Sequence, residues 1–188
     1  MTGDYLTLNQ EAVQTVSFDV VFNLHRDYVY GLVHALVGNT QDAEDVTQDV
    51  FLRVYKSLHS YDSERAAIRT WLTRVAVNAC HTHKRRNFFR NLWQRLPDGN
   101  DEGQDFIDPS SWGAPEDHAL QNEMRRIVQE TLGKLRLEHR TVLVLHYYLD
   151  LSCPEIAGIL ECPEGTIYSR LHYARRLVQA QLSAAHKS

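Results

Sequence analysis

Tyr168, Ser169, His172, Arg175 and Arg176 lie within nine residues near the end of the chain and bring hydroxyl, imidazole and guanidinium groups to one short stretch. Such groups hydrogen-bond to base edges and pair with phosphate. A second set, Lys84-Arg85-Arg86 followed by Phe88, Phe89 and Trp93, offers charge for phosphate and flat faces for unstacked bases, as single-stranded nucleic acid requires. The same aromatic residues would serve equally as packing. A third set is acidic: Asp45, Gln48 and Asp49 stand at i, i+3 and i+4 on a helical period, a compact patch suited to a basic partner surface. Cys80, His81 and His83 are potential metal ligands, but no second cluster at zinc spacing accompanies them, and Cys153 and Cys162 lie nine apart. We therefore expect neither metal nor cofactor.

The elements that must position these groups are helices. In LSCPEIAGILECPEGTIYSRLHYARR (151–176), Ser152 can cap a helix, with Pro154 in its first turn and Glu155 at capping-box spacing. That helix carries Ile156, Ala157 and Leu160 on one face. The chain breaks at Glu161-Cys162, and Pro163 opens a second helix with Ile167, Leu171, Ala174 and Val178 inward. Gly165, Ser169, His172 and Arg176 lie opposite, with Tyr168 on the flank. Two short helices, a tight turn and a polar, basic outer face describe a helix-turn-helix. An ordinary helical hairpin with solvated arginines is the competing reading.

Upstream, Phe18 to Val37 has a helical period stopped by Gly38-Asn39. His25 and His34 read as surface or core-edge residues. Thr40 to Ser60 is the next helix, burying Ala43, Val46, Val50, Phe51, Val54 and Leu58. Its Asp42, Glu44 and Asp45 suit the positive end of the helix dipole, which does not account for Asp49 two turns in. Tyr61 to Ala67 is a polar loop. Ile68 to Arg86 is a third helix with Ile68, Trp71, Leu72, Val75 and Ala79 inward. LPDGNDEGQDFIDPSSWGAPED has no periodicity and serves as a linker, either as a solvated tether or as an acidic shield for basic surfaces. Helices then resume over Glu116 to Leu132, stopped by Gly133, and over Leu137 to Leu149. The fold expected is all-α: two small helical domains, 16–95 and 116–183, joined by an acidic linker, 96–115. Residues 1–15 read as a lead-in.

Of the 188 residues, 43% are apolar and 23% charged, a globular composition. No run of about 18 apolar residues could span a membrane. The first residues lack a basic start and an apolar block, so no secretory signal is expected. The three scattered cysteines suit a reducing cytoplasm. Net charge is −4, and its distribution matters more than its sum. Residues 1–62 hold nine acids and three Lys or Arg; 81–95 hold five Lys or Arg and no acid; 96–118 hold seven acids and no Lys or Arg. Two basic patches in an acidic chain would hold naked DNA weakly, which points to a partner that brings the chain to DNA.

DAEDVTQDVF (42–51), IRTWLTRVAVNACHTHKRR (68–86) and the 151–176 stretch, in that order, resemble the sigma factors of bacterial RNA polymerase, and the compact layout resembles their extracytoplasmic-function class. The resemblance covers residues 18 to 182. It implies a promoter-specificity subunit that is not itself an enzyme, binding core RNA polymerase (the beta-prime clamp and the beta flap) and promoter DNA, and controlled by an anti-sigma factor. It places Asp42, Glu44, Asp45, Gln48 and Asp49 on the clamp coiled coil. Tyr61, Thr70, Trp71, Arg74 and Asn78 fall at the −10 element, where a flipped non-template base is captured at a cost of a few kcal/mol of unstacking. Lys84, Arg85 and Arg86 would hold phosphates there. Tyr168, Ser169 and His172 would face the −35 major groove, with Arg170, Arg175 and Arg176 as phosphate clamps. Three positions depart from the family's habit. Ile68 stands where an aromatic is common and Tyr168 where a basic residue is common. Glu161 stands in the turn where glycine is frequent; a left-handed residue there would cost about 1–2 kcal/mol.

Two other readings stay open: a stand-alone helix-turn-helix regulator, which would bind its operator tightly without polymerase, and a metal- or redox-responsive module built on the cysteines and His81 and His83.

Overall fold

The computed structural model describes residues 17–94, 128 and 130–185. Among the described residues the α-helices with defined bounds are α1 (Phe18–Val37), α2 (Thr40–Ser57), α3 (Ile68–Gln94), α4 (Leu137–Leu143), α5 (Cys153–Leu160) and α6 (Glu164–Ala185). There is no strand among the described residues, and no helix there is long and apolar enough to cross a membrane. The linker 96–115, and nearly all of the helix expected over Glu116 to Leu132, lie outside the described residues.

The expected α1 boundaries hold. Gly38 ends it at φ 90°, a left-handed angle that glycine adopts without Cβ strain, and its N–H closes on the His34 carbonyl at 2.9 Å. Asn39 then caps α2: its Oδ1 accepts from the Asp42 N–H at 2.8 Å, and its Nδ2 donates to the Asp42 carboxylate at 2.9 Å. The last turn expected of α2 tightens into a 3-10 helix, Leu58–Ser60. α1, α2 and α3 pack on one another through Val29, Leu32, Val33 and Leu36, through Val46, Val50 and Val54, and through Leu72, Ala76 and Val77, all buried. Each such valine or leucine side chain contributes about 1.5–3 kcal/mol when fully buried.

The α3 stripe departs from expectation. Thr73, Ala76, Val77 and Cys80 are buried alongside Leu72 and Ala79, while Ile68, Trp71 and Val75 are only partly covered. α3 also runs eight residues past Arg86, to Gln94. His34 lies in the core, not at its edge, with its ring 5.8 Å from that of Tyr30.

In the second half α4, α5 and α6 enclose Val142, Leu145, Ile156, Ile159, Ile167, Leu171 and Ala174. Ile159, not Leu160, joins Ile156 and Ala157 inside. The helix expected over Leu137 to Leu149 changes character midway: Val144–Tyr148 is a π-helical turn, closed by the Leu149 N–H on the Val144 carbonyl at 3.2 Å. Its wider radius swings Tyr147 and Tyr148 to the surface.

The two halves touch. Arg140, 1% exposed, reaches from α4 to donate to the Leu36 carbonyl at the end of α1, 2.7 Å away. A Cβ added at Gly31 would stand 2.9 Å from the Tyr148 hydroxyl, so glycine in mid-α1 admits that ring close to the backbone.

Candidate nucleic-acid interface

The helix-turn-helix forms as its sequence directs. The Ser152 hydroxyl accepts from the Glu155 N–H at 3.4 Å, and the Glu155 carboxylate accepts from the Ser152 N–H at 2.8 Å, closing a capping box. The Ser152 hydroxyl also donates to that carboxylate at 2.6 Å, and these hydrogen bonds, side chain first and backbone second, hold the Glu155 carboxyl below its ordinary range. Between α5 and α6 Glu161 is left-handed, φ 51° and ψ 45°, so the strain anticipated at this position is present.

On α6, Ile167, Leu171 and Ala174 face inward, while Tyr168, Ser169, His172 and Arg176 are exposed together. That is one outward face with two hydroxyls, an imidazole and a guanidinium. Arg170 is half-buried at its side. Arg175 leaves the set. Its Nε donates to the Tyr147 hydroxyl at 2.7 Å and its Nη2 lies 3.2 Å from His146 Nε2. His146 Nδ1 lies 2.8 Å from the Leu151 carbonyl, which can only accept; Nδ1 therefore carries the proton and Nε2 accepts from Arg175. The π turn thus holds Arg175 beside an apolar groove of about 920 Å³ lined by Ala35, Leu143, Val144, Tyr148, Val178 and Leu182.

On α2, Glu44, Asp45 and Gln48 are exposed on one side. Asp49 is half-exposed and its carboxylate is held by Arg53 one turn on, at 2.7 Å. Asp42 is occupied differently: beyond its contacts to Asn39, it lies 3.1 Å from His83 Nε2 on α3. Glu44 and Gln48 border a second groove, of about 700 Å³, floored by Phe18, Phe22, Phe51 and Tyr55. Periodicity assigned Phe51 to the core, where it lies, and did not reveal this opening.

At the start of α3 the Tyr61 ring stands 5.2 Å from that of Trp71, and its hydroxyl donates to the Ala66 carbonyl at 2.9 Å, which folds the 61–67 loop against the helix. Thr70 and Trp71 are half-buried, Asn78 exposed. Lys84, Arg85 and Arg86 are exposed, and so are Phe88 (63%) and Phe89 (50%), which settles those two as surface residues rather than packing. Arg74 points elsewhere: Nη2 donates to the Gly158 carbonyl at 2.9 Å and Nη1 meets the Glu161 carboxylate at 3.1 Å.

Cys80 is fully buried in the first core, and burial pushes its thiol up to about 12. A thiol so protonated is a poor metal ligand or redox sensor at neutral pH, which weighs against the metal- or redox-responsive reading. In the second half the His139 ring lies 4.7 Å from that of Tyr173, tilted by 42°, and its Nδ1 is buried with no hydrogen-bond partner among the described residues. Burial lowers its pKa, opposed by Glu138 and reinforced by Arg170 and Arg136. His81, its ring partly open to solvent, is lowered first by burial, with Glu138 opposing and Arg170 and Lys84 reinforcing. A depressed histidine pKa means that the unfolded chain binds more protons than the folded one below about 6.5, so stability rises with pH there. Acidification from pH 7.5 through 6.5 to 5.5 should therefore lower the thermal midpoint progressively. His139→Gln should flatten that dependence, and an unchanged slope would remove His139 as its source.

Residues 21–88 match the family Sigma-70 region 2, and residues 125–178 match Sigma-70, region 4. The chain is 30% identical over 169 residues to the ECF RNA polymerase sigma factor SigW of Bacillus subtilis, covering 88% of this chain and 89% of that protein. It is also 30% identical over 170 residues to the ECF RNA polymerase sigma-E factor of Haemophilus influenzae, covering 88% and 87%. Among solved structures, the sigma factor RpoE in complex with the anti-sigma factor NepR from Bartonella quintana superposes with a TM-score of 0.67 at 22% identity, over 88% of this chain and 96% of that one, a likeness of fold.

Proposed function

The chain belongs to the extracytoplasmic-function sigma factors of bacterial RNA polymerase, and on that premise we propose how its surfaces divide the work of initiation. As a sigma factor it directs core polymerase to promoters. We assign residues 16–95 to polymerase docking and −10 opening, 116–183 to −35 reading, and 96–115 to the tether between them. The observation that carries this reading is the separation of surface chemistry by face. Glu44, Asp45, Gln48 and Asp49 are presented on α2; Lys84, Arg85, Arg86, Phe88 and Phe89 on the far part of α3; Tyr168, Ser169, His172 and Arg176 on α6.

Each face has the chemistry its partner asks for. The acidic one suits the basic clamp coiled coil, and the aromatic floor of the adjoining groove adds apolar area to that contact. Hydroxyls and an imidazole on α6 can donate to and accept from base edges in the major groove, while Arg176 and Arg170 position the helix on phosphates. Cations interleaved with exposed rings on α3 suit unpaired bases and their backbone. Thr70, Trp71 and Asn78 line the approach to a flipped base, with Tyr61 folding the loop behind them. Arg74 belongs to the same path once it is freed from Glu161. Arg175, turned to Tyr147, serves the rim of the 920 Å³ groove, which suits an apolar element of the beta flap. Asp42 contributes by holding α2 to Asn39 and His83 as much as by meeting the clamp. The protein works in the cytoplasm, where its polymerase is, and polymerase performs the nucleotide chemistry. An anti-sigma factor that covers the acidic face and the grooves would silence it.

Run-off transcription with purified chain, core polymerase and a promoter library tests the proposal. A discrete set of start sites sharing −10 and −35 elements is expected, with no transcript when the chain is omitted. Tight, specific duplex binding by the chain alone, without stimulation of polymerase, would instead indicate a stand-alone regulator.

A further inference from the structure

Arg74 and Glu161 join the two halves in a way that neither half explains. Glu161 occupies the left-handed position that ends α5, where glycine would carry no Cβ strain. Its side chain crosses to α3, where the carboxylate meets Arg74 Nη1 at 3.1 Å. The other arm of the same guanidinium takes the Gly158 carbonyl at 2.9 Å, near the negative end of the α5 dipole. Both terminal nitrogens of Arg74 are thereby spent on the helix-turn-helix. The closure is seated at two further points, Tyr148 against Gly31 and Arg140 on the Leu36 carbonyl, so the latch closes an interface that is already packed.

We propose that the free chain holds itself shut through this Arg74–Glu161 latch, which withdraws Arg74 from single-stranded DNA until polymerase parts the two modules. The proposal rests on the assignment of Arg74 to the −10 path, and deepens it. The closed chain still presents Lys84 to Phe89 but not Arg74, so the open fraction binds single-stranded DNA more tightly, and weakening the latch raises apparent affinity by at most the factor by which opening increases. The contact is polar and partly solvated, so a competing docking surface can replace it at little cost.

Two variants of the full chain isolate the effect. Glu161→Gln removes the latch charge, whereas Glu164→Gln neutralises an exposed carboxylate three residues away that takes no part in it. Dyes at Lys56 on α2 and Ala180 on α6 report closure by energy transfer; a labelled single-stranded DNA of mixed sequence reports access. Relative to Glu164→Gln, the Glu161→Gln chain should show lower transfer and bind the DNA about three- to fivefold more tightly, the scale set by one exposed ion pair. Run-off activity with core polymerase should be equal in the two. Equal transfer in the two variants overturns the latch, whatever the DNA binding. Lower transfer with equal DNA affinity overturns the withdrawal of Arg74. Promoter opening by Arg74→Ala holoenzyme then tests the underlying assignment separately: unimpaired opening means that Arg74 was never on the −10 path.

Discussion

Asp49→Arg should reduce affinity for core polymerase by about a hundredfold or more and leave the fold intact. The expectation follows from where Asp49 stands. It is the deepest member of the acidic face, two turns into α2, and its carboxylate is already fixed by Arg53 at 2.7 Å. A pre-positioned charge costs little further ordering when a basic surface arrives. Reversal places like charges in apposition, a penalty of several kcal/mol, and about 1.4 kcal/mol corresponds to each tenfold. The folded chain loses only a partly solvated i,i+4 pair and gains an i,i+4 repulsion, each about 0.5 kcal/mol or less. Asp42→Arg makes the informative contrast. It would also weaken docking, but it loses the Asn39 Nδ2 hydrogen bond and the His83 contact and puts a cation in the first turn of α2, so its thermal midpoint should fall as well. Equilibrium binding to core polymerase together with circular dichroism separates the two. Normal binding by a well-folded Asp49→Arg chain would move the docking surface off α2.

Features set by near neighbours in the chain were legible in advance, because their physics is local. Gly38 had to end α1, Ser152 and Glu155 had to close on each other, and the stripe from Ile167 to Ala174 had to turn inward. The outward set on α6 followed as the complement of that stripe. Errors appear where a residue answers to something distant. α3 continues to Gln94 because nothing between Asn87 and Gln94 breaks a helix; the cationic run at 84–86 looks like a terminus and is not one. Thr73 sits in the core because its hydroxyl can donate to the Arg69 carbonyl at 2.7 Å and lies 2.6 Å from that of Tyr28 on α1, a partner 45 residues away. Arg74 reads as a solvent-facing DNA contact until Gly158, 84 residues on, is seen beside it. The π turn that redirects Arg175 has no signature in Val144-Leu-His-Tyr-Tyr; it is fixed by His146 and Leu151 closing the bend.

Arg140 was the residue least visible in the sequence, and its replacement should be the most damaging to the fold. Arg140→Ala is expected to cost about 3–5 kcal/mol. A lone arginine in LEHRTVL reads as a solvated side chain, yet it is buried and spans four carbonyls: Leu36 at 2.7 Å, Leu132 at 2.8 Å, Gly133 at 2.9 Å and Leu135 at 3.3 Å. These oxygens lie at or just beyond the ends of α1 and of the helical turn at 130–133, where carbonyls lack intrahelical partners and the dipoles are negative. One planar guanidinium satisfies both ends at once. Removing it strands acceptors away from water as well as losing charged hydrogen bonds. Arg140→Lys should recover part of the loss at most, because an ammonium cannot present a planar fork to carbonyls on opposite sides. The Leu36 contact adds a second expectation. It ties α1 to α4 across the two halves, so calorimetry of Arg140→Ala should resolve two transitions, against a single one expected of the parent chain. A variant that melts as the parent does, in a single transition at the same temperature, would show that the two helix ends are satisfied without the guanidinium and that the remaining contacts, those of Arg74 among them, suffice to join the halves.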